Sequence, residues 1–76
     1  MSNGLTTDLI LSRLKQKVTF GNAKLLLDTA QAQTGIRIEG GTVLETEQAR
    51  ALCMTLINSG GPAFHVGQSI YKEYLS

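Results

Sequence analysis

Apolar residues recur along this chain at helical intervals in four separate runs, and polar or glycine residues fall between them where helices start and stop. The plainest run lies in the C-terminal half. Ala49, Leu52, Cys53, Leu56 and Ile57 fall at i, i+3, i+4, i+7 and i+8, the spacing of one buried helical face. A strand fails there, since alternation would put Arg50 and Leu52 on the same side. Thr46 suits the N-cap, with Glu47 and Gln48 in a first turn where the helix dipole favours negative charge. Gly60 suits the left-handed position that ends a helix, and Pro62 the first position of the next. Beyond it, Ala63, Val66, Ile70 and Tyr74 make one stripe with Gly67 in it, while Phe64, Tyr71 and Leu75 make a second beside it. Such an arc covers roughly half of a helix circumference at about 100° per residue. That is wider than the stripe of a surface helix, so the last helix is expected to be central to the core or half of a subunit interface.

Earlier in the chain, Thr6, Thr7 or Asp8 can cap a first helix running to about Val18, with Ile10, Leu11, Leu14 and Val18 as its inner stripe. Leu5 and Leu9 fall on the opposite side. A second cap at Thr19 or Asn22 starts a helix whose Ala23, Leu26, Leu27 and Ala30 repeat the same spacing, with Phe20 at its entry and Leu25 pointing away. Gly35, after Thr34, suits its end. Between the helices, Ile36 and Ile38 alternate with Arg37 and Glu39, and Gly40-Gly41 supplies a two-residue turn. The spacing predicts a short β-hairpin, Ile36–Glu39 against Thr42–Leu44, which must be covered by helices because a lone hairpin is marginal in water. The competing pattern is a capping box from Thr42 to Glu45 that starts the third helix early. The predicted fold is mainly α, four short helices with a small hairpin between the second and third, in the order α-α-β-β-α-α. No linker or internal repeat interrupts it, so residues 1–76 are expected to form one compact domain with residues 1–5 flexible.

Composition changes this picture in one respect. Seventy-six residues, 42% apolar and 17% charged, belong to a folded globular chain. A chain this short buries only about 60% of its unfolded surface. Small domains make up the shortfall with disulfides, metals or self-association. Cys53 is the sole cysteine and His65 the sole histidine, so neither a disulfide nor a zinc site is expected within the chain, and self-association remains. The start, MSNGLTTDLIL, has no basic region ahead of an apolar run, and no segment approaches bilayer length, so a cytoplasmic, reducing compartment is the expectation.

Candidate chemistry is sparse. A nucleophile needs a base oriented by a third group, and His65 projects away from the Ala63-Val66-Ile70 stripe with no partner in sight. Cys53 sits on a buried stripe, where a thiol is inert. Glu45 and Glu47 are two apart and share no helical face. The Gly-Gly sites lack the spacing of a phosphate loop or a dinucleotide fingerprint. The pattern therefore points away from an enzyme: no catalytic residue, metal, cofactor, small-molecule substrate or membrane partner is expected.

Two features point to contact instead. Arg13, Lys15, Lys17 and Lys24 are four of the seven cations; through residue 24 there are four cations and one acid, a net +3, and from residue 25 on three cations and five acids, a net −2. Such a segment could meet phosphates and makes a small DNA- or RNA-binding regulator the competing reading. The helix after Gly60-Gly61-Pro62 has no cation before Lys72, which fits poorly with the recognition helix of a helix-turn-helix. The other feature is apolar surplus. Leu5 and Leu9 with the Phe64-Tyr71-Leu75 row form the candidate protein interface, of a homodimer or of an accessory subunit bound to another protein.

Overall fold

The structure, a computed structural model, describes residues 4–75. Four helices follow one another: α1 over Thr7–Lys15, α2 over Phe20–Thr34, α3 over Thr46–Ser59 and α4 over Gly61–Ile70. The chain leaves α4 through a π-helical turn, Tyr71–Leu75, rather than stopping. The mainly α architecture read from the spacing is thus the one observed.

Local chemistry sets the boundaries. The Thr6 hydroxyl accepts the Leu9 N–H at 3.1 Å and opens α1, which closes at Lys15 with Arg13 and Lys15 in its last turn, short of the Val18 that the spacing suggested. Thr19 caps α2 by accepting from the Asn22 N–H, and Gly35 ends it in the left-handed region. The N-cap of α3 is Glu45, one residue before Thr46; its N–H donates to Gln48 Oε1 at 3.0 Å, the reciprocal half of a capping box. Gly60 joins α3 to α4 with φ 76° and ψ −176°, a conformation open essentially to glycine alone.

The predicted hairpin does not form. Among the described residues there is no strand. Gly40-Gly41 does turn the chain, with the Thr42 N–H donating to Glu39 O at 3.0 Å, but the two arms do not ladder onto each other. The arm after the turn bonds to the chain start instead: Leu44 N–H donates to Leu5 O at 2.8 Å, Val43 bridges Thr6 in antiparallel fashion, and Asp8 N–H reaches Gly40 O at 3.2 Å. The physical reason is burial. A two-stranded ribbon of three or four residues per arm hides little apolar surface, whereas laid against the start of α1 this segment buries Leu44 fully and Ile36 and Ile38 in part. The first residues are correspondingly engaged from Leu5 onward, with Leu5 fully buried; the part of the expected flexible end that falls on residues 1–3 lies outside the described residues.

The core follows the stripes. Ile10 and Leu14 of α1, Ala23, Leu27 and Ala30 of α2, Leu52, Cys53 and Leu56 of α3, and Ala63, Val66 and Ile70 of α4 are all buried. α3 and α4 form the most extensive helix pair, and Gly67 makes that approach possible. A β-carbon there would stand 2.9 Å from the Cys53 carbonyl oxygen, 3.0 Å from Leu56 Cβ and 3.1 Å from Ile57 Cγ1.

Candidate functional site

Close packing of α3 on α4 leaves a shallow groove along the outer seam of the pair. Met54 and Ile57 of α3 and Tyr71 of the last turn are its apolar lining, with His65, Gln68, Ser69 and Lys72 as polar rim. Met54 is 45% exposed, one of four large apolar side chains left so far in water. Of the interface residues expected from the sequence, only Tyr71 lines this groove. Leu9 and Leu75 are half-buried against the core, and Phe64, also half-buried, meets the His65 ring edge-on at 5.3 Å. Leu5 does not belong to any contact face, because it is core.

The cations divide into two groups. Arg13 donates from Nη2 to Glu73 Oε2 at 2.6 Å, tying the end of α1 to the π-helical turn. That hydrogen bond raises the guanidinium pKa further, so Arg13 stays charged. Both partners are solvent-accessible, and such pairs contribute about 0–1 kcal/mol. On the same flank, Arg13, Gln16 and Lys17 converge with His65, Val66 and Ser69 of α4 around a small cavity of about 70 Å³. Lys15 lies on the other flank, its Nζ 5.3 Å from the centroid of the Phe20 ring. The four candidate cations therefore do not form one patch: Arg13 and Lys17 share one flank and Lys15 stands beside Phe20 on the other, the separation that their angles on α1 already imply, with Lys24 exposed on α2.

Known proteins supply no guide to the site. No protein-family model, curated protein or solved structure matches this chain.

The remaining candidates can be placed from geometry alone. Cys53 is fully buried, and burial pushes its thiol up to about 11, so at neutral pH it is an uncharged core residue. A thiol-specific disulfide reagent is expected to leave native protein unmodified near pH 8 and to react once denaturant is added; immediate reaction of the native chain would refute the burial. Because the folded thiol titrates above its unfolded value of about 9, its contribution to stability is complete below that pH and is lost as pH rises towards about 11. Comparison with Cys53→Ala isolates the effect. No three His, Cys, Asp or Glu side chains come together as a metal site among the described residues, and none of their helices is long and apolar enough to cross a membrane.

Sequence reasoning placed Ile57 on the inner stripe of α3 and Met54 among the apolar residues outside the stripes, and did not join the two in one surface. Their meaning depends on which flank of α3 receives α4, which spacing within one helix does not specify.

Proposed function

We propose that this chain works through protein–protein contact, as a small cytoplasmic accessory or regulatory protein that pairs with a second copy of itself through the α3–α4 groove. The observation that carries this reading is the groove itself, where Met54 remains 45% exposed beside Ile57 and Tyr71. Flexible, polarisable Met beside an aromatic is the composition of adaptable interfaces. A standard interface hides about 800 Å² per partner, close to a fifth of the 4515 Å² that this chain exposes. The groove is therefore the centre of the interface, and the outer ridge of α4 its margin.

Charge favours a second copy as occupant. Arg13 and Lys17 stand at the end of α1, while Glu39 and Glu45 belong to the segment that packs on its start. The two ends of a nine-residue helix lie about 14 Å apart. Glu73 already offsets the Arg13 charge, so Lys17 carries the basic end, and two antiparallel copies would bring it opposite the acidic segment of the other, the self-complementary arrangement of a two-fold dimer.

Light scattering across concentration is expected to give a mass that rises from one copy to two. Met54→Glu, which sets a charge in the seam, is expected to weaken the dimer about tenfold or more, a loss of about 1.4 kcal/mol or above, with helical circular dichroism unchanged. A wild-type mass that stays at one copy up to the solubility limit would end this reading.

A further inference from the structure

The turn between α1 and α2 carries a feature that neither the core nor the groove explains. Phe20, the first residue of α2, is 56% exposed, and residues 13–24 around it contain four cations and no acid. A phenyl ring left in water contributes little to folding. Its neighbour is informative, because Lys15 Nζ at 5.3 Å from the ring centroid keeps a positive charge beside the aromatic face. Lys24, four residues on, falls on the same side of α2.

The opposite flank of the same turn holds the cavity of about 70 Å³, to which Arg13, Gln16, Lys17, His65 and Ser69 bring side-chain donors from two helices. The backbone carbonyls of Arg13 and Leu14 already accept the N–H groups of Gln16, Lys17 and Val18, so these two carbonyls are already occupied. Glu73 holds the Arg13 fork through Nη2 and offsets one of the two positive charges. The surplus of one matches a phosphodiester, a monoanion, better than a phosphate monoester, which carries about −1.5 to −2. Lys17 and Phe20 are three residues apart, at most about 11 Å along the chain. The two flanks are thus within reach of one short strand.

We infer that this turn binds single-stranded nucleic acid, an unpaired base stacking on Phe20 beside Lys15 while a neighbouring phosphodiester enters the cavity at Arg13, Lys17, His65 and Ser69. A single strand is favoured over a duplex because only an unpaired base offers a free face to an aromatic ring. The site and the proposed dimer seam share His65 and Ser69, and Arg13 and Lys17 enter both readings, whereas Phe20 and Lys15 belong to this site alone, so Phe20→Ala tests it separately from the seam.

The test is fluorescence anisotropy with a labelled oligothymidine of roughly 16 nucleotides, enough to cover one domain-sized site. Binding is expected at low salt, with log affinity falling against log salt at a slope of about −0.7 for the phosphodiester in the cavity and steeper by about 0.7 for each further phosphate that Lys15 or Lys24 meets. Phe20→Ala is expected to weaken binding about tenfold, and Lys17→Gln to remove about 0.7 from the slope. Both residues are exposed, so circular dichroism should show both variants folded. Absence of binding at the lowest salt overturns the inference. So does binding that neither substitution changes, preference for the same sequence as duplex, or equal affinity for polyglutamate.

Discussion

Replacing Leu5 by alanine is expected to lower the stability of this domain by about 3 kcal/mol, within the range for a fully buried leucine. Leu5 precedes the first helix, yet it is 0% exposed and its carbonyl accepts the Leu44 N–H at 2.8 Å. Truncation there opens a cavity under the segment that crosses the start of α1, and that segment has no ladder of its own to hold it. For a chain of this size each kcal/mol corresponds to roughly 4–8 °C in Tm, so the variant should melt more than about 10 °C early. Leu25→Ala is the matched control. Leu25 is 63% exposed on the outer side of α2, and its loss should stay within about 0.5 kcal/mol. Thermal melts of the two variants that coincide would refute the position assigned to Leu5.

A second large effect is expected at Gly67. Valine there must displace the Cys53 carbonyl, which belongs to the backbone of α3 and cannot rotate aside as a side chain could. Overpacking of this kind costs about 1–3 kcal/mol, and a β-branched side chain adds its own crowding within a helix. The expected total is about 3 kcal/mol, a large share of the roughly 4–11 kcal/mol typical of a domain of this length. Gly67→Ala is the instructive comparison, because alanine gains about 1 kcal/mol of helix propensity over glycine while its β-carbon meets the same carbonyl. Chemical denaturation should find Gly67→Ala mildly destabilised and Gly67→Val severely so. A stabilised alanine variant would mean that α3 and α4 can separate at little cost.

These two positions also mark how far the sequence could be read. Helix number, order and inner stripes follow from local spacing, because the 3.6-residue period is imposed by each helix on itself. Thr6 and Thr19 act within three residues of the N–H groups they satisfy, Gly35 ends α2 through its own left-handed conformation, and such signals are equally legible. Leu5 was misassigned because a helical projection was carried past the N-cap. Thr6 has φ −126° and ψ 163°, so the residue before it lies on extended chain and obeys no helical wheel.

The hairpin failed for a related reason. The alternation of Ile36 and Ile38 and the Gly-Gly turn are real, but the bonding partner of Val43 and Leu44 is some forty residues earlier, at Leu5 and Thr6. Nothing local distinguishes that pairing from the adjacent one. The contact surfaces were least legible of all. The groove joins Met54 to Tyr71 across two helices, and Arg13 meets Glu73 sixty residues away. Each charge was visible, and their neutralisation was not. Of the basic set, the sequence separated Lys15 from Arg13 and Lys17 by helical angle, but the exposed ring of Phe20 became informative only once its surroundings were known.

The bonds from residues 40, 43 and 44 back to residues 5, 6 and 8 impose an order on biosynthesis. Leu5 is made, and leaves the ribosome, ahead of Leu44, and until Leu44 follows it the covering segment is missing. At roughly 5–20 residues per second, the thirty-nine codons between Leu5 and Leu44 leave that leucine uncovered for about 2–8 s. The α1–α2 pair is therefore the part of the nascent chain most in need of protection, and slowing translation ahead of codon 44 should raise its capture by chaperones.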